Sequence, residues 1–407
     1  MQSQTLLGWG SAAVAIVMHA SVAWADGGDP ALPPDQAVAL ALAAHPDLRA
    51  AEAALSTAEA SRSASSLFLS NPSANAWATP DGARAEIGVG QPLSLSGEGW
   101  HARRGARASA DATSASLDRT RRELAAAVRI AYVDAVVASG VVQVAREGSE
   151  LADRLSFAVR RRHEEGEAST LDLRLARLAE VQATTRLLEA RRLEADALRA
   201  LSALVLTTVS ADDLVDDPLV AAPDIEGMAE AERSDVASAE AALDAARADL
   251  RRARAATLPP LTVGLGVDVE DGATFVGPSV GVTIPLFDRN QTGRAQAVGA
   301  VDVAEGRLAS IRAVADTERD TSRLRLEEAE AAAEALAGSD VALARAALTS
   351  IESGVLAGEI DLGTAVLLQT QVLDGEAAVV TLRGLLADAR IDRLLALDDD
   401  ALIGGVR

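Results

Sequence analysis

The sequence predicts a mostly α-helical protein with a small β part, built from one unit written twice along a single elongated chain. Three observations carry this expectation. Two stretches, Trp100 to Arg162 and Thr292 to Gly354, contain no proline and keep apolar residues at helical spacing. Short segments ahead of each stretch alternate apolar with small or polar residues, which is the period of a strand. The same wording also recurs at nearly constant offset. His45-Pro46-Asp47-Leu48, leading into Ala51-Glu52-Ala53-Ala54-Leu55, returns 188 residues later as Arg233-Ser234-Asp235-Val236, leading into Ala239-Glu240-Ala241-Ala242-Leu243. Gln91-Pro92-Leu93 returns after 193 residues as Ile284-Pro285-Leu286, and Gly166-Glu167 after 192 as Gly358-Glu359.

Composition agrees and excludes several functions. Of 407 residues 49% are hydrophobic but only 2% aromatic, so bulk comes from Ala, Leu and Val, as in long, closely packed helices. The net charge of −22 argues against nucleic acid, whose phosphates need a basic face. All 38 basic residues are Arg, which removes the lysine of a phosphate-binding loop or a Schiff base. With no Cys there is no disulfide, thiol nucleophile or lipidated N-terminal cysteine. Four His and three Met leave few soft ligands, so neither a metal centre nor another cofactor is expected.

Residues 1–25 carry no Asp, Glu, Lys or Arg, hold the apolar run Ala12 to Met18, and end in Ala23-Trp24-Ala25 before Asp26. They read as a secretory signal. No run of 18 apolar residues follows, so no transmembrane helix is expected beyond it. The first repeat is expected over 26–210 and the second over 233–407, joined by an acidic linker at 211–232 that holds Pro218 and Pro223. Each repeat reads as a short helix, two strands, a very long helix, a turn and a second long helix, the two repeats forming one elongated domain.

Strand hairpins are expected over 72–95 and 259–287. Leu261, Val263, Leu265, Val267 and Val269 share one face, as do Val276, Val280, Val282, Ile284 and Leu286; in the first copy Ile87, Val89, Leu93 and Leu95 do the same. Ten tilted residues at about 3.3 Å each cross an outer-membrane hydrocarbon layer. Val263, Leu265, Val267, Val280, Val282 and Ile284 are therefore expected to face lipid, with the Gly-, Ser- and Thr-rich face toward water. A soluble sandwich would show the same alternation. Four strands cannot close a barrel, and open edges are forbidden in lipid, so spanning strands demand an oligomer. Trp77, Trp100, Phe275 and Phe287 are the aromatics available for an interfacial girdle.

The long helices, on the order of 90 Å each, turn back near Leu171 and Leu362 into two antiparallel coiled-coil hairpins. None of the polar clusters reads as catalytic. His163-Glu164-Glu165 lacks the second His that a zinc helix needs four residues on, where Glu167 stands. Glu327-Glu328 and Asp398-Asp399-Asp400 read as solvated faces or a tail.

Duplicated strand pairs with helices of this length, in an exported chain, resemble the TolC-like outer-membrane efflux family. The segment Pro285-Leu286-Phe287-Asp288-Arg289-Asn290-Gln291 is similar to one in the CzcC-like heavy-metal branch, as are Asn71-Pro72 and Gly90-Gln91-Pro92-Leu93 through Gly97. Glu98-Gly99-Trp100 departs from the basic pair common in that branch. The resemblance implies a homotrimer in which twelve strands form an outer-membrane barrel continuing into an α-helical barrel. It also implies a passive duct, opened by a periplasmic adaptor and an inner-membrane RND pump and exporting heavy-metal cations. A periplasmic adaptor or a structural coiled-coil protein without channel activity are the alternatives.

In that family the hairpin turns are the periplasmic tips. By this resemblance Glu164, Glu165, Glu167, Asp172, Glu359 and Asp361 would form acidic rings at the gate, attracting cations. Gly166, Ser169, Leu171, Gly358, Ile360 and Leu362 would meet the adaptor, the apolar ones as exposed surface. Acidic residues at a helix start also suit the helix dipole, without any pore.

Overall fold

A computed structural model of the chain describes residues 32–404, apart from 66–70, 81–83, 95, 216, 226–231, 259, 271, 283–285, 338–347, 352, 356 and 358. The expected signal at 1–25 lies outside these residues, as do Gly358 and Ile284. In chain order the elements are α1 (Pro34–Ala44), α2 (Pro46–Ala64), β1 (Ser73–Ala78), β2 (Arg84–Leu93), α3 (Glu98–Glu164), α4 (Thr170–Val205), α5 (Ser234–Ala255), β3 (Leu261–Glu270), β4 (Ala273–Val282), α6 (Gln291–Ala337) and α7 (Leu362–Leu397). Residues 348–351 and 353–355 are also helical.

Duplication is visible in the backbone. Pro46 begins α2 without an N–H to satisfy and holds His45 out of the helical region, so His45 ends α1 and starts α2 at φ −64°, ψ 132°. Its counterpart Arg233 opens α5 at φ −66°, ψ 135°. The strands form one antiparallel sheet in the order β1-β2-β3-β4, so the two copies join at the β2–β3 pair.

The main core lies at the waist of the helices, not in the sheet. Val128, Tyr132, Ala135 and Val136 of α3 pack with Val38 of α1, Leu201 of α4, and Ile391 and Leu394 of α7. Where α7 crosses α3 the helices come close because glycine removes a side chain: a Cβ on Gly384 would overlap Val137, and one on Gly148 would stand 2.9 Å from Leu373. α3 and α7 each contain a stretch apolar enough by composition to cross a bilayer, contrary to expectation. Core helices meet the same test, and 56% of the α3 stretch is buried in the protein itself, against 17% of the α7 stretch.

Two sequence expectations need correction here. The segment expected as an acidic linker seals the core: Leu214, Ala221 and Ala222 are buried in it. Tyr132, the single tyrosine, donates to Leu32 O at 2.7 Å and accepts from Val215 N at 3.0 Å, while Arg129 Nη1 donates to Ala221 O at 2.8 Å. The Asp398 run is no solvated tail. Asp398 is only 5% exposed and accepts from Ser234 N at 2.8 Å and Ser234 Oγ at 2.7 Å, with Arg122 at 3.1 Å and Arg119 at 3.3 Å. Asp399 caps the following 3-10 turn and Asp400 pairs with Arg122 at 2.6 Å. A carboxylate with that many donors survives burial, and here it pins the end of α7 to the start of α5 and to α3.

Candidate functional site

The sheet sorts its side chains as the alternation demands. Val267 lies opposite Val276 and Ile87, Val263 opposite Val280, and Leu265 opposite Val89 and Pro278, so the apolar residues of β2, β3 and β4 share one face. Ile87, Val89, Val263, Leu265, Val267, Val276, Val280 and Val282 are all exposed on it. Gly88, Gly90, Gly264, Gly266, Gly277 and Ser279 make the other face. Trp77 and Phe275 sit on this second face, opposite Glu86 and Asp268, and Trp77 Nε1 donates to Glu86 at 2.7 Å. They are therefore not part of a girdle on the apolar face. An ion pair between Arg84 and Glu270 adds to the polar face. Such a sheet has one apolar wall and one small, hydrophilic wall, and among the described residues its edges β1 and β4 have no neighbour.

At the far end of the helices the two turns repeat one design. Gly166 adopts φ +83°, the left-handed backbone that glycine takes freely, and the N–H groups of Glu167 and Ala168 donate to Arg162 O at 2.7 and 3.2 Å. In the second copy Glu359 and Ile360 donate to Gly354 O at 2.8 and 3.1 Å. The return helices are capped alike. Ser169 Oγ accepts from Asp172 N, and the Ser169 N–H donates to the Asp172 carboxylate; Asp361 accepts from Thr364 N. The Ser169 hydrogen bonds hold the Asp172 carboxyl below its usual range.

The carboxylates are thus not equal. Asp172 and Asp361 are helix caps, Glu165 and Glu167 lie 3.6 and 3.7 Å from Arg161 and Arg162, and Glu164 and Glu359 have no side-chain partner among the described residues. The apolar residues also divide. Leu171 is 64% exposed, but Leu362 is only 5% exposed and packs with Leu155, Val159, Val355 and Ala365, with Ile360 partly buried against them. Leu362 therefore builds the tip and offers no exposed surface. The two tips touch, since Arg162 Nη1 donates to Val355 O at 2.9 Å.

A family model described as outer membrane efflux protein matches residues 37–205 and 227–397, one match on each copy. The chain belongs to the outer membrane efflux protein family. This settles the choice between a channel and the adaptor or fibrous readings in favour of the channel, and it places this efflux protein in the outer membrane, extending into the periplasm. Solved structures share its fold. A membrane protein from Pseudomonas aeruginosa is 20% identical with a TM-score of 0.75, covering 89% of this chain and 93% of its own. The MtrE outer membrane channel of Neisseria gonorrhoeae, in its open state, is 20% identical with a TM-score of 0.70, covering 90% and 89%. CusC, studied for transmembrane channel formation, is 18% identical with a TM-score of 0.70, covering 92% and 95%. No curated protein matches by sequence. The mostly helical fold with a small β part, expected from the sequence, is the fold found.

Sequence reasoning missed the polar groups at the waist. Asp388 of α7 has a buried Oδ1 without a hydrogen-bond partner; burial, with the charges of Asp134 and Asp392, pushes its pKa up to about 7. An Asp inside an otherwise apolar helical stripe, Leu386-Ala387-Asp388-Ala389, was the available signal.

Proposed function

We propose that this efflux protein is the passive outer-membrane duct of a tripartite exporter of heavy-metal cations, working with a periplasmic adaptor and an inner-membrane RND pump. One observation carries the assembly: a four-stranded sheet with one apolar face and two open edges. Lipid tolerates no unpaired edge, so copies must join edge to edge, and three copies give a closed barrel of about twelve strands. The helical hairpins then continue the wall below the membrane, with the Gly166 turn and the Glu359 turn at its lower rim.

The cation preference is inferred from that rim. Symmetry repeats Glu164 and Glu359, with Glu165, Glu167, Asp172 and Asp361 beside them, as rings of negative charge around the mouth. Leu171, Ser169 and Ile360, with Gly166 and Gly358, supply the adaptor contact, Leu171 as its exposed apolar part. The likeness of Pro285 to Gln291 to the heavy-metal branch supports metal cargo over organic cargo.

Planar bilayers test the rim directly. Glu164→Gln with Glu359→Gln leaves both caps intact and should lower the cation-to-anion permeability ratio at unchanged trimer yield. An unchanged reversal potential under a salt gradient refutes the ring. Growth of a deletion strain across Zn, Co, Cd, Cu and organic drugs tests the cargo, and sensitivity to drugs alone refutes metal export.

A further inference from the structure

We infer that the junction between sheet and helices is an arginine collar that binds the phosphate headgroups of anionic phospholipids in the periplasmic leaflet. Three segments meet there: the start of α3, the end of α5 and the start of α6. Arg252 lies 4.0 Å from Glu98, a Cβ on Gly105 would meet Asp249 at 3.4 Å, and Asn290 Nδ2 donates to Ala253 O at 3.0 Å. Residues 98–107, 247–258 and 286–294 together hold nine arginines against three carboxylates, in a chain of net charge −22. Glu98 and Asp249 are engaged by Arg252, and Asp288 accepts from Asn290 N.

Arg104, Arg107, Arg251, Arg254 and Arg294 are exposed and pair with no carboxylate among the described residues. Arg294 stands in the first turn of α6, where the helix dipole is already positive, and Arg104 and Arg107 stand in the second and third turns of α3. In both helices each Cα–Cβ bond leans toward the N-terminus, here the membrane end, so these guanidinium groups reach back toward the sheet.

Apolar neighbours mark the depth. Trp100, Arg104 and Arg107 are spaced to share one helix face, and the Arg104 guanidinium lies 5.9 Å from the centre of the Trp100 ring. Phe287 is 91% exposed, with Leu286 and Leu258 exposed beside the strand ends. Aromatics and arginines at one level, directly below an apolar strand face, are what a hydrocarbon boundary and its phosphate layer require. Headgroups extend about 5–8 Å beyond the hydrocarbon, about one to one and a half helical turns.

The test uses the full-length protein in vesicles of phosphatidylcholine, alone or mixed with phosphatidylglycerol. The wild type should dissociate at a higher temperature in the anionic vesicles, and native mass spectrometry should find phosphatidylglycerol enriched on it. High salt should erase both effects. Each arginine removed should lower the enrichment about five-fold at low salt. Arg104→Gln with Arg107→Gln, Arg251→Gln and Arg254→Gln should abolish it, while Arg191→Gln with Arg192→Gln on α4 should not. Equal dissociation temperatures for the wild type in the two lipids overturn the inference even if no collar variant inserts. So does enrichment that survives the collar substitutions, or stabilisation by peptidoglycan fragments in phosphatidylcholine alone.

Discussion

Leu265→Arg asks which face of the sheet meets lipid. Leu265 is the fifth of ten residues in β3, between Val89 and Pro278, and 64% of it is exposed on the apolar face. Ten residues at about 3.3 Å, tilted about 40°, rise about 25 Å, the height of a barrel's apolar band, so Leu265 sits near the midplane. An arginine there costs about 2–4 kcal/mol. Three copies closing one barrel raise this to about 6–12 kcal/mol per trimer, more than four powers of ten in the insertion equilibrium. The comparison is Ser279→Arg, opposite Gly264 and flanked by Pro278 and Val280 in sequence but pointing to the glycine face. Refolding into vesicles, read by the heat-dependent gel shift of the trimer, should show insertion of Ser279→Arg and none of Leu265→Arg. The reverse result would mean that the apolar face lines the lumen, and the reasoning from alternation would fail.

Three further outcomes are expected. Asp398→Ala strips partners from Arg119, Arg122 and Ser234 at once and should lower unfolding free energy by about 3–5 kcal/mol in a urea titration; a loss within error would show the network to be dispensable. Asp388 has a folded pKa of about 7, above its ordinary value of 3.8, so folding favours its neutral form. Its stabilising contribution is complete below about pH 4 and lost as pH rises through about 7, so Asp388→Asn should raise Tm over the wild type at pH 8 and leave it unchanged at pH 4. Gly166→Val places a β-branched residue at φ +83°, costing about 1–2 kcal/mol, and should speed proteolysis at the first tip without lowering trimer yield; unchanged cleavage would argue against a strained turn.

Much of the fold was legible because its signals are long and local. Proline-free periodicity predicted a helix from Trp100 to about Arg162, and α3 runs from Glu98 to Glu164. Alternation placed Val263, Val267 and Val280 on one face, where the register puts them. The same parity could have placed Trp77, in phase with Asn75 and out of phase with Ala76, on the polar face. What was hidden depends on distance along the chain. Asp398 gains its meaning from Arg119, Arg122 and Ser234, each more than 160 residues away, and a run of three Asp reads as solvated until those partners are known. Leu214 and Ala221 carry no periodicity, so nothing local marked them as core. Leu362 occupies the position of Thr170 in the other copy, and only packing shows that it fills the space between the tips.

The duplication explains why one chain is both well ordered and incomplete. Each copy brings a strand pair, and the sheet is continuous only through the junction between copies: β2 and β3 pair over ten residues, from Arg84–Glu270 to Leu93–Leu261, as many as β3 and β4 within the second copy. Neither copy could keep its strands alone, since an isolated hairpin is marginal in water and open-edged in lipid. Joining two copies covers one edge of each and leaves the outer two. Those edges are unequal, six residues in β1 against ten in β4. In the proposed trimer each seam would therefore pair a short strand with a long one, and the seams would carry fewer ladder hydrogen bonds than the β2–β3 junction inside each chain. The hairpins compensate below the membrane, where α4 exposes Leu171, Leu178, Val181 and Leu188 along its length, apolar surface that a neighbouring copy can cover. Assembly of the proposed duct would thus rest more on its helices than on its barrel seams, which accords with a main core at the waist and with a sheet that buries almost nothing within one chain.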